Sequence, residues 1–285
     1  MNERKISKIG VIGQGTMGSQ IAQAILTAGL DIKIFDINSE LAETSHARLI
    51  KNIKKSVKRG VMSIEKAQSM EENLTLAKGF EEFSDRELII EAVFEDKQVK
   101  DEIFSKLESI VSTTCILASN TSSLSITSLA KNLSNRSRFV GLHFFYPAFY
   151  NKLVEVVRGY LTDDGTIEAA CAFVRSIEKD PVIAKDTPGF IVNRILVPMI
   201  GEAIKLVELN VACPEDIDNA MVLGTSLPQG PLKLADMVGL DVILKVQEIF
   251  YSEYGEASYK PSILLKRMVD AGYLGLKTGR GFYQY

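Results

Sequence analysis

Several things are missing from this sequence. No stretch of about 18 uncharged apolar residues occurs, which excludes a membrane-spanning helix. An excess of one charge is also lacking. The 33 basic residues face 36 acidic ones, a formal charge of -3, and that balance argues against a nucleic-acid binder recognised through bulk charge. Cysteine is scarce. Cys115, Cys171 and Cys213 lie too far apart for zinc-type spacing and cannot all pair within one chain. Reduced, partly buried thiols are expected, and no metal site. The segment Met1–Lys8 is polar and runs straight into a strand-like segment. It has neither the apolar stretch nor the small-residue cleavage site of a secretory signal, so a cytoplasmic location is expected. Low-complexity linkers and internal repeats are absent as well.

What is present describes an ordinary globular chain. Its 285 residues suit two unequal domains or one large one, and 46% hydrophobic content provides a core without disulfide or metal staples. Strand-like runs at 8–12, 31–35, 88–93, 115–118, 138–145 and 153–157 alternate with helical patterns at 17–28, 39–59 and after Ser63. That alternation predicts an α/β fold of Rossmann type, a doubly wound, mostly parallel sheet with helices on both faces. The pattern changes at Lys185-Asp186-Thr187-Pro188-Gly189, where Pro188 suits the first turn of a helix. A long apolar helix over 190–209 follows, then helices at 214–221, 240–250 and 262–271. The chain therefore divides into an α/β domain, 1–186, and an all-α domain, 187–285.

Gly13-Gln14-Gly15-Thr16-Met17-Gly18 matches G-x-G-x-x-G and joins the first strand to the first helix. In such a loop the first glycine makes the tight turn, the second admits a pyrophosphate to the backbone, and the third lets helix and strand pack closely. The phosphates rest on unpaired N–H groups of the helix start. Gly13, Gly15, Met17 and Gly18 are therefore candidate cofactor residues. Asp36 ends the second strand, 18 residues after Gly18, where an acid accepts hydrogen bonds from the adenosine ribose. It would repel the extra phosphate of NADP, and no arginine follows within 37–43. NAD is the expected cofactor. The competing account is a structural turn followed by a strand-end aspartate.

Only two histidines are available as acid–base groups. His46 sits in a polar helix pattern and reads as a solvated surface residue. His143 ends an apolar strand, where it is either a satisfied core residue or a catalytic one. Ligands of open parallel sheets bind beyond the carboxyl ends of strands, which tilts the choice toward catalysis. Glu155 lies 12 residues on, inside Leu153-Val154-Glu155-Val156-Val157. A buried carboxylate needs a partner, and bonded to one ring nitrogen of His143 it would set the tautomer and raise the basicity of the other. Alternatively Glu155 is a surface residue of an edge strand.

These residues resemble the short-chain L-3-hydroxyacyl-CoA dehydrogenase family, which includes the 3-hydroxybutyryl-CoA dehydrogenases. The resemblance spans essentially the whole chain: IGVIGQGTMG at 9–18, EAVFED at 91–96, ASNTSSL at 118–124, GLHFF at 141–145, KLVEVVRG at 152–159, TPGFIVNRILVP at 187–198, GPLKLA at 230–235 and TGRGFY at 278–283. It implies NAD-dependent interconversion of a 3-hydroxyacyl thioester and its 3-ketoacyl thioester. By position it implies His143 as general base and acid, and Glu155 as its orienting partner. Ser122 would bond the substrate oxygen, and Asn193 would hold the substrate's reacting end. Glu95, Lys100 and Asn120 would line the nicotinamide half. It also implies a homodimer joined through the helical domain, with the domains closing on substrate. Read without the family, Ser122 is a candidate helix N-cap and Asn193 a helix-packing amide.

One segment departs from the family. The usual HFFNP is here His143-Phe144-Phe145-Tyr146-Pro147, followed by Ala148-Phe149-Tyr150-Asn151. A phenol replaces an amide that offers both a donor and an acceptor, so Tyr146 is a candidate substrate residue. The expected substrate is a small or more polar hydroxyacyl thioester rather than plain 3-hydroxybutyryl-CoA. Between Arg48 and Arg59 lies a basic stripe in which Lys51, Lys54, Lys55 and Lys58 share a helical face opposite Ile50, Ile53 and Val57. It is either a solvated face or, through Lys54 and Lys55, a contact for the phosphates of coenzyme A or for an acidic acyl carrier protein. Two other readings are open: a dehydrogenase of a free hydroxy acid or sugar acid on the same scaffold, and a non-catalytic NAD-binding structural protein.

Overall fold

A computed structural model describes residues 5–285. It forms two compact units, the first running to Thr187 and the second comprising Pro188–Tyr285. The first unit begins with β1 (Lys8–Ile12), α1 (Thr16–Thr27), β2 (Asp31–Phe35), α2 (Ser39–Lys58), α3 (Ile64–Glu72) and β3 (Leu74–Leu76). It continues through β4 (Leu88–Glu91), α4 (Lys97–Ile110), β5 (Ile116–Ser119), the single turn α5 (Ile126–Leu129) and β6 (Phe139–Phe144). It closes with β7 (Leu153–Arg158), α6 (Asp164–Ser176) and β8 (Asp180–Lys185).

The eight strands make one sheet in the order β3-β2-β1-β4-β5-β6-β7-β8. All neighbours run parallel except β6 and β7, which are antiparallel. The central strands are short and apolar because helices cover both faces; every residue of β4, β5 and β6 is buried. Strand order reverses between β1 and β4, which opens a crevice at their carboxyl ends.

The helices start where the sequence supplies caps. The side chains of Asn38, Ser63, Asp96 and Asp163 accept a backbone N–H at the starts of α2, α3, α4 and α6. In α2, Ala42, Ser45, Leu49 and Ile53 face the core at helical spacing, and Lys51, Lys54, Lys55 and Lys58 are exposed. The expected separation of the two faces is thus present.

Two strands escape the sequence pattern. β3 is only three residues long, and β8 carries Pro181 and is largely exposed. An edge strand tolerates proline because one side of its backbone needs no ladder partner. His46, expected to be a solvated surface residue, is half-buried in α2, and that burial lowers the pKa of its imidazole. Cys115 and Cys171 are buried while Cys213 is exposed, so burial does not extend to all three thiols.

The second unit packs α7 (Val192–Glu208), α8 (Pro214–Thr225), α9 (Pro231–Val238), α10 (Leu240–Tyr254) and α11 (Ile263–Asp270) around Val197, Ile200, Ile204, Leu232, Ile243 and Phe250. Pro188 does not open a helix. Gly189 and Phe190 both have positive φ, +78° and +48°, and α7 begins only at Val192. The left-handed turn is held by packing: a Cβ on Gly189 would lie 2.2 Å from the Phe250 ring, and Arg194 N–H donates to Gly189 O. The last residues are tied to two buried acids. Asp236 accepts the N–H groups of Phe282 and Tyr283, and Asp218 accepts the Tyr283 hydroxyl. No helix among the described residues is long and apolar enough to cross a membrane.

Candidate active site

At the end of β1 the chain turns through Gly13, whose φ of +94° and close approach to the Ala92 carbonyl exclude a side chain. A Cβ on Gly18 would stand 1.9 Å from Gly13 O, so α1 sits directly against the loop. Around Gly15, by contrast, the space is open to at least 4 Å. Helix α1 has no side-chain cap and no acid in its first turn. Its first N–H groups, Met17 among them, are available to an anion, while the Met17 side chain packs on the core. Asp36, at the end of β2, accepts the N–H groups of Gln14 at 2.7 Å and Asn38 at 2.9 Å. Each carboxylate oxygen keeps a second lone pair for a ribose hydroxyl. A cleft of about 420 Å³ opens here, lined by Gly13, Gly15, Phe35, Asp36, Val93 and Phe94. An open loop at an uncapped helix, an acid beyond it and apolar walls fit the pyrophosphate, ribose and adenine of NAD.

On the same sheet, β6 and β7 pair with His143 directly opposite Glu155. Directly opposed residues project to one face, and the imidazole Nδ1 lies 2.8 Å from Glu155 Oε2. Both side chains are buried, and the Phe145 ring packs on the imidazole with centroids 4.3 Å apart. Glu155 is not on a sheet edge, because β8 covers the far side of β7. A carboxylate on Nδ1 makes that nitrogen the N–H donor, which leaves Nε2 as the position for proton exchange.

Ser122 lies in a loop beyond β5, half-buried. The cap of α5 is Ser125, so Ser122 is not that helix's cap. Its backbone N–H donates to Glu95 at 3.0 Å, and Glu95 also accepts the hydroxyls of Thr121 and Ser123. Burial pushes the Glu95 carboxyl upward, but the charge of Lys100 and these hydrogen bonds outweigh it and hold its pKa below the usual range. Lys100 differs from a groove-lining residue. It is 1% exposed, ion-paired with Glu91 at 2.6 Å and Glu95 at 3.3 Å, and so lies beneath the groove. Asn120 uses its side-chain oxygen to accept the Phe144 N–H at 2.9 Å, which ties the β5 loop to the end of β6. Glu91 was not singled out from the sequence. The signal was there: it is one acid within the apolar run Leu88-Ile89-Ile90-Glu91-Ala92, the pattern that pointed to Glu155.

The variant segment after His143 is a tethered loop. Pro147 O accepts the N–H groups of Tyr150 and Asn151, and the buried Lys179 donates to Phe149 O and Asn151 O. Tyr146 is 62% exposed and Tyr150 77% exposed on this fixed backbone. Lys54 and Lys55 are exposed on α2. Asn193 belongs to the second unit, half-buried in the first turn of α7. There its neighbour Arg194 stacks over the rings of Tyr254 at 3.5 Å and Tyr259 at 4.5 Å. Among the described residues no group of three His, Cys, Asp or Glu side chains is placed to hold a metal ion.

The family model "3-hydroxyacyl-CoA dehydrogenase, NAD binding domain" matches residues 8–187, and "3-hydroxyacyl-CoA dehydrogenase, C-terminal domain" matches residues 189–285. The chain belongs to the 3-hydroxyacyl-CoA dehydrogenase family. It is 42% identical over 279 residues to the 3-hydroxybutyryl-CoA dehydrogenase of Clostridioides difficile, covering 98% of this chain and 99% of the other. To that of Bradyrhizobium diazoefficiens it is 40% identical over 280 residues, covering 98% and 96%. The crystal structure of (S)-3-hydroxybutyryl-CoA dehydrogenase from Ralstonia eutropha superposes with a TM-score of 0.94 at 40% identity, covering 99% of each chain. The family resemblance, the Rossmann-type sheet and the NAD cofactor expected from the sequence all agree with these matches. The family's NAD-binding domain is the part of this chain that contains the β1–β4 crevice.

Proposed function

We propose that this 3-hydroxyacyl-CoA dehydrogenase family member catalyses NAD-dependent interconversion of a short 3-hydroxyacyl-CoA and its 3-ketoacyl-CoA. The observation that carries the reading is the buried His143–Glu155 pair at the carboxyl end of β6, in the sheet whose β1–β4 crevice fits the dinucleotide. In the oxidation the substrate's O–H and C3–H bonds break and a C=O bond forms. The hydroxyl proton passes to His143 Nε2; NAD, held by Asp36 and the Gly13–Gly18 loop, would supply the acceptor for the hydride that leaves C3. Glu155 stabilises the imidazolium that results and holds its Nδ1–H in place. In reduction the same imidazole returns the proton.

Ser122 is assigned to the substrate's C3 oxygen, where a hydroxyl donor favours the developing carbonyl. Asp36, with the loop of Gly13, Gly15, Met17 and Gly18, is assigned to the adenosine and pyrophosphate. Glu95 and Asn120 are assigned to the nicotinamide side, with Lys100 acting through Glu95. Asn193, from the second unit, is assigned to the reacting end of the substrate on the family resemblance alone. The second unit also carries the proposed dimer surface, supported by exposed Leu209, Val211 and Leu223. The exposed Lys54 and Lys55 favour a phosphate-bearing carrier, coenzyme A in this reading, with an acidic carrier protein as the second candidate on the same stripe. The exposed phenol of Tyr146 favours selection for a small or polar acyl group.

The test is NADH absorbance with acetoacetyl-CoA and more polar 3-ketoacyl analogues, each also presented on a carrier protein. Oxidation of NADH by the CoA esters is the expected result. NADH binding without turnover of any thioester would refute the reaction. Turnover confined to the carrier-bound form would move the assignment to the second carrier.

A further inference from the structure

The proposed reaction does not use the carboxylate of Glu91, yet it is fully buried and its hydrogen bonds are short. Its Oε1 accepts Lys100 Nζ at 2.6 Å and the Val93 N–H at 2.7 Å, and its Oε2 accepts the Ser119 hydroxyl at 2.6 Å. Lys100 then reaches from Glu91 to Glu95, whose Oε2 lies 3.3 Å away. The other oxygen of Glu95 gathers the N–H groups of Ser122 at 3.0 Å and Ser123 at 3.2 Å. Ser119 Oγ also accepts the Thr121 N–H at 3.2 Å, a second route from Glu91 to the same loop. The two paths from this one acid converge on the backbone that carries Ser122.

Stability does not account for such an arrangement. A buried ion pair replaced by apolar residues of similar volume is often neutral or stabilising, and the surrounding strands are already apolar. What the charges supply is a defined place for Glu95. Without Glu91 the ammonium of Lys100 has one acid fewer to satisfy it. It shifts toward Glu95, and the carboxylate that pins residues 121–123 shifts with it. We propose that Glu91 is a positioning residue for the reaction, setting the Ser122 loop through Lys100, Ser119 and Glu95. This rests on the assignment of Ser122 to the substrate oxygen.

Glu91→Gln keeps the shape and an acceptor for the Val93 N–H, and removes the charge. Two readouts test it in the NADH-bound protein. Amide hydrogen exchange at residues 121–124 is expected to speed up while β4 and β5 stay protected. The kcat for acetoacetyl-CoA reduction is expected to fall about tenfold, the scale of one lost charge-assisted hydrogen bond, with KM within about threefold. In a double-mutant cycle, Glu91→Gln added to Ser122→Ala is expected to slow kcat by less than about twofold further, because both act at one point. Unchanged exchange at 121–124, wild-type kcat in Glu91→Gln, or multiplicative losses in the cycle would each overturn the proposal. Should Glu91→Gln fail to fold, Ser119→Ala deletes one bond of the network without stranding a charge and enters the same cycle and exchange experiment. A wild-type protein that turns over no thioester refutes the reaction itself; the exchange data then still decide whether Glu91 holds the loop.

Discussion

Replacing Glu155 by Gln isolates one interaction with little change of shape. The wild-type carboxylate faces His143 Nδ1 at 2.8 Å, and both groups are buried. The amide of Gln can still accept the Nδ1–H through its oxygen, so the tautomer survives. What disappears is the charge that, in the proposed reaction, stabilises the imidazolium formed as the alcohol loses its proton. A hydrogen bond to a charged group is worth about 1.5–3 kcal/mol. At 1.36 kcal/mol per factor of ten, kcat for the oxidation should fall about 10- to 150-fold. The affinity for NADH should stay within about twofold, because β7 is separated from the β1 loop by β4, β5 and β6. Stopped-flow absorbance gives kcat and quenching of NADH fluorescence gives Kd. His143→Gln serves as reference, with an expected loss of about 10²–10⁴ in kcat. A Glu155→Gln enzyme within threefold of wild-type kcat would show that the carboxylate only fills space beside the imidazole.

Gly18→Ala places a Cβ 1.9 Å from Gly13 O, well inside contact distance, so α1 must move by about an ångström away from the loop. The Kd for NADH should rise at least about tenfold, or 1.4 kcal/mol; an unchanged Kd would remove the glycine loop from the cofactor site. Lys54→Glu combined with Lys55→Glu should raise KM for the true carrier and leave Kd for NADH unaltered, and an unchanged KM returns the stripe to surface decoration. Burial and the Asp218 carboxylate raise the Tyr283 pKa above its ordinary value, and burial with Asp236 raises Tyr285 to about 12. The folded state therefore holds these protons more tightly than the unfolded chain. Their contribution is complete below pH 10; that of Tyr285 is lost as pH rises through about 12, and that of Tyr283 at still higher pH. The melting temperature should fall more steeply over that interval in wild type than in Tyr283→Phe/Tyr285→Phe; parallel curves would contradict this.

The sheet was legible because its central strands are buried on both faces and read as unbroken apolar runs. β3 was too short to carry a pattern, and β8 was hidden by Pro181, which only an edge position admits. The start of α7 departs from the sequence pattern for a local reason. Pro188 is a good first-turn residue, but the left-handed turn at Gly189 and Phe190, packed against Phe250, delays the helix to Val192. At the site, Gly13, Gly18, Asp36, His143 and Glu155 carry their chemistry in residue type and spacing. The role of Lys100 does not show in spacing, because nothing in the sequence says that its ammonium is enclosed by Glu91 and Glu95. Glu91 shows that a lone acid in an apolar strand deserves the same weight wherever it occurs.

The antiparallel pairing of β6 with β7 places the imidazole and its carboxylate at the two ends of one rung of a rigid ladder. A base so mounted is equally well placed as an acid, and in the proposed reaction nothing in the pair favours the alcohol over the ketone. Direction then belongs to the surroundings. Each oxidation releases one proton to solvent, so the ratio of ketone to alcohol at a given balance of oxidised and reduced nicotinamide should shift about tenfold per pH unit.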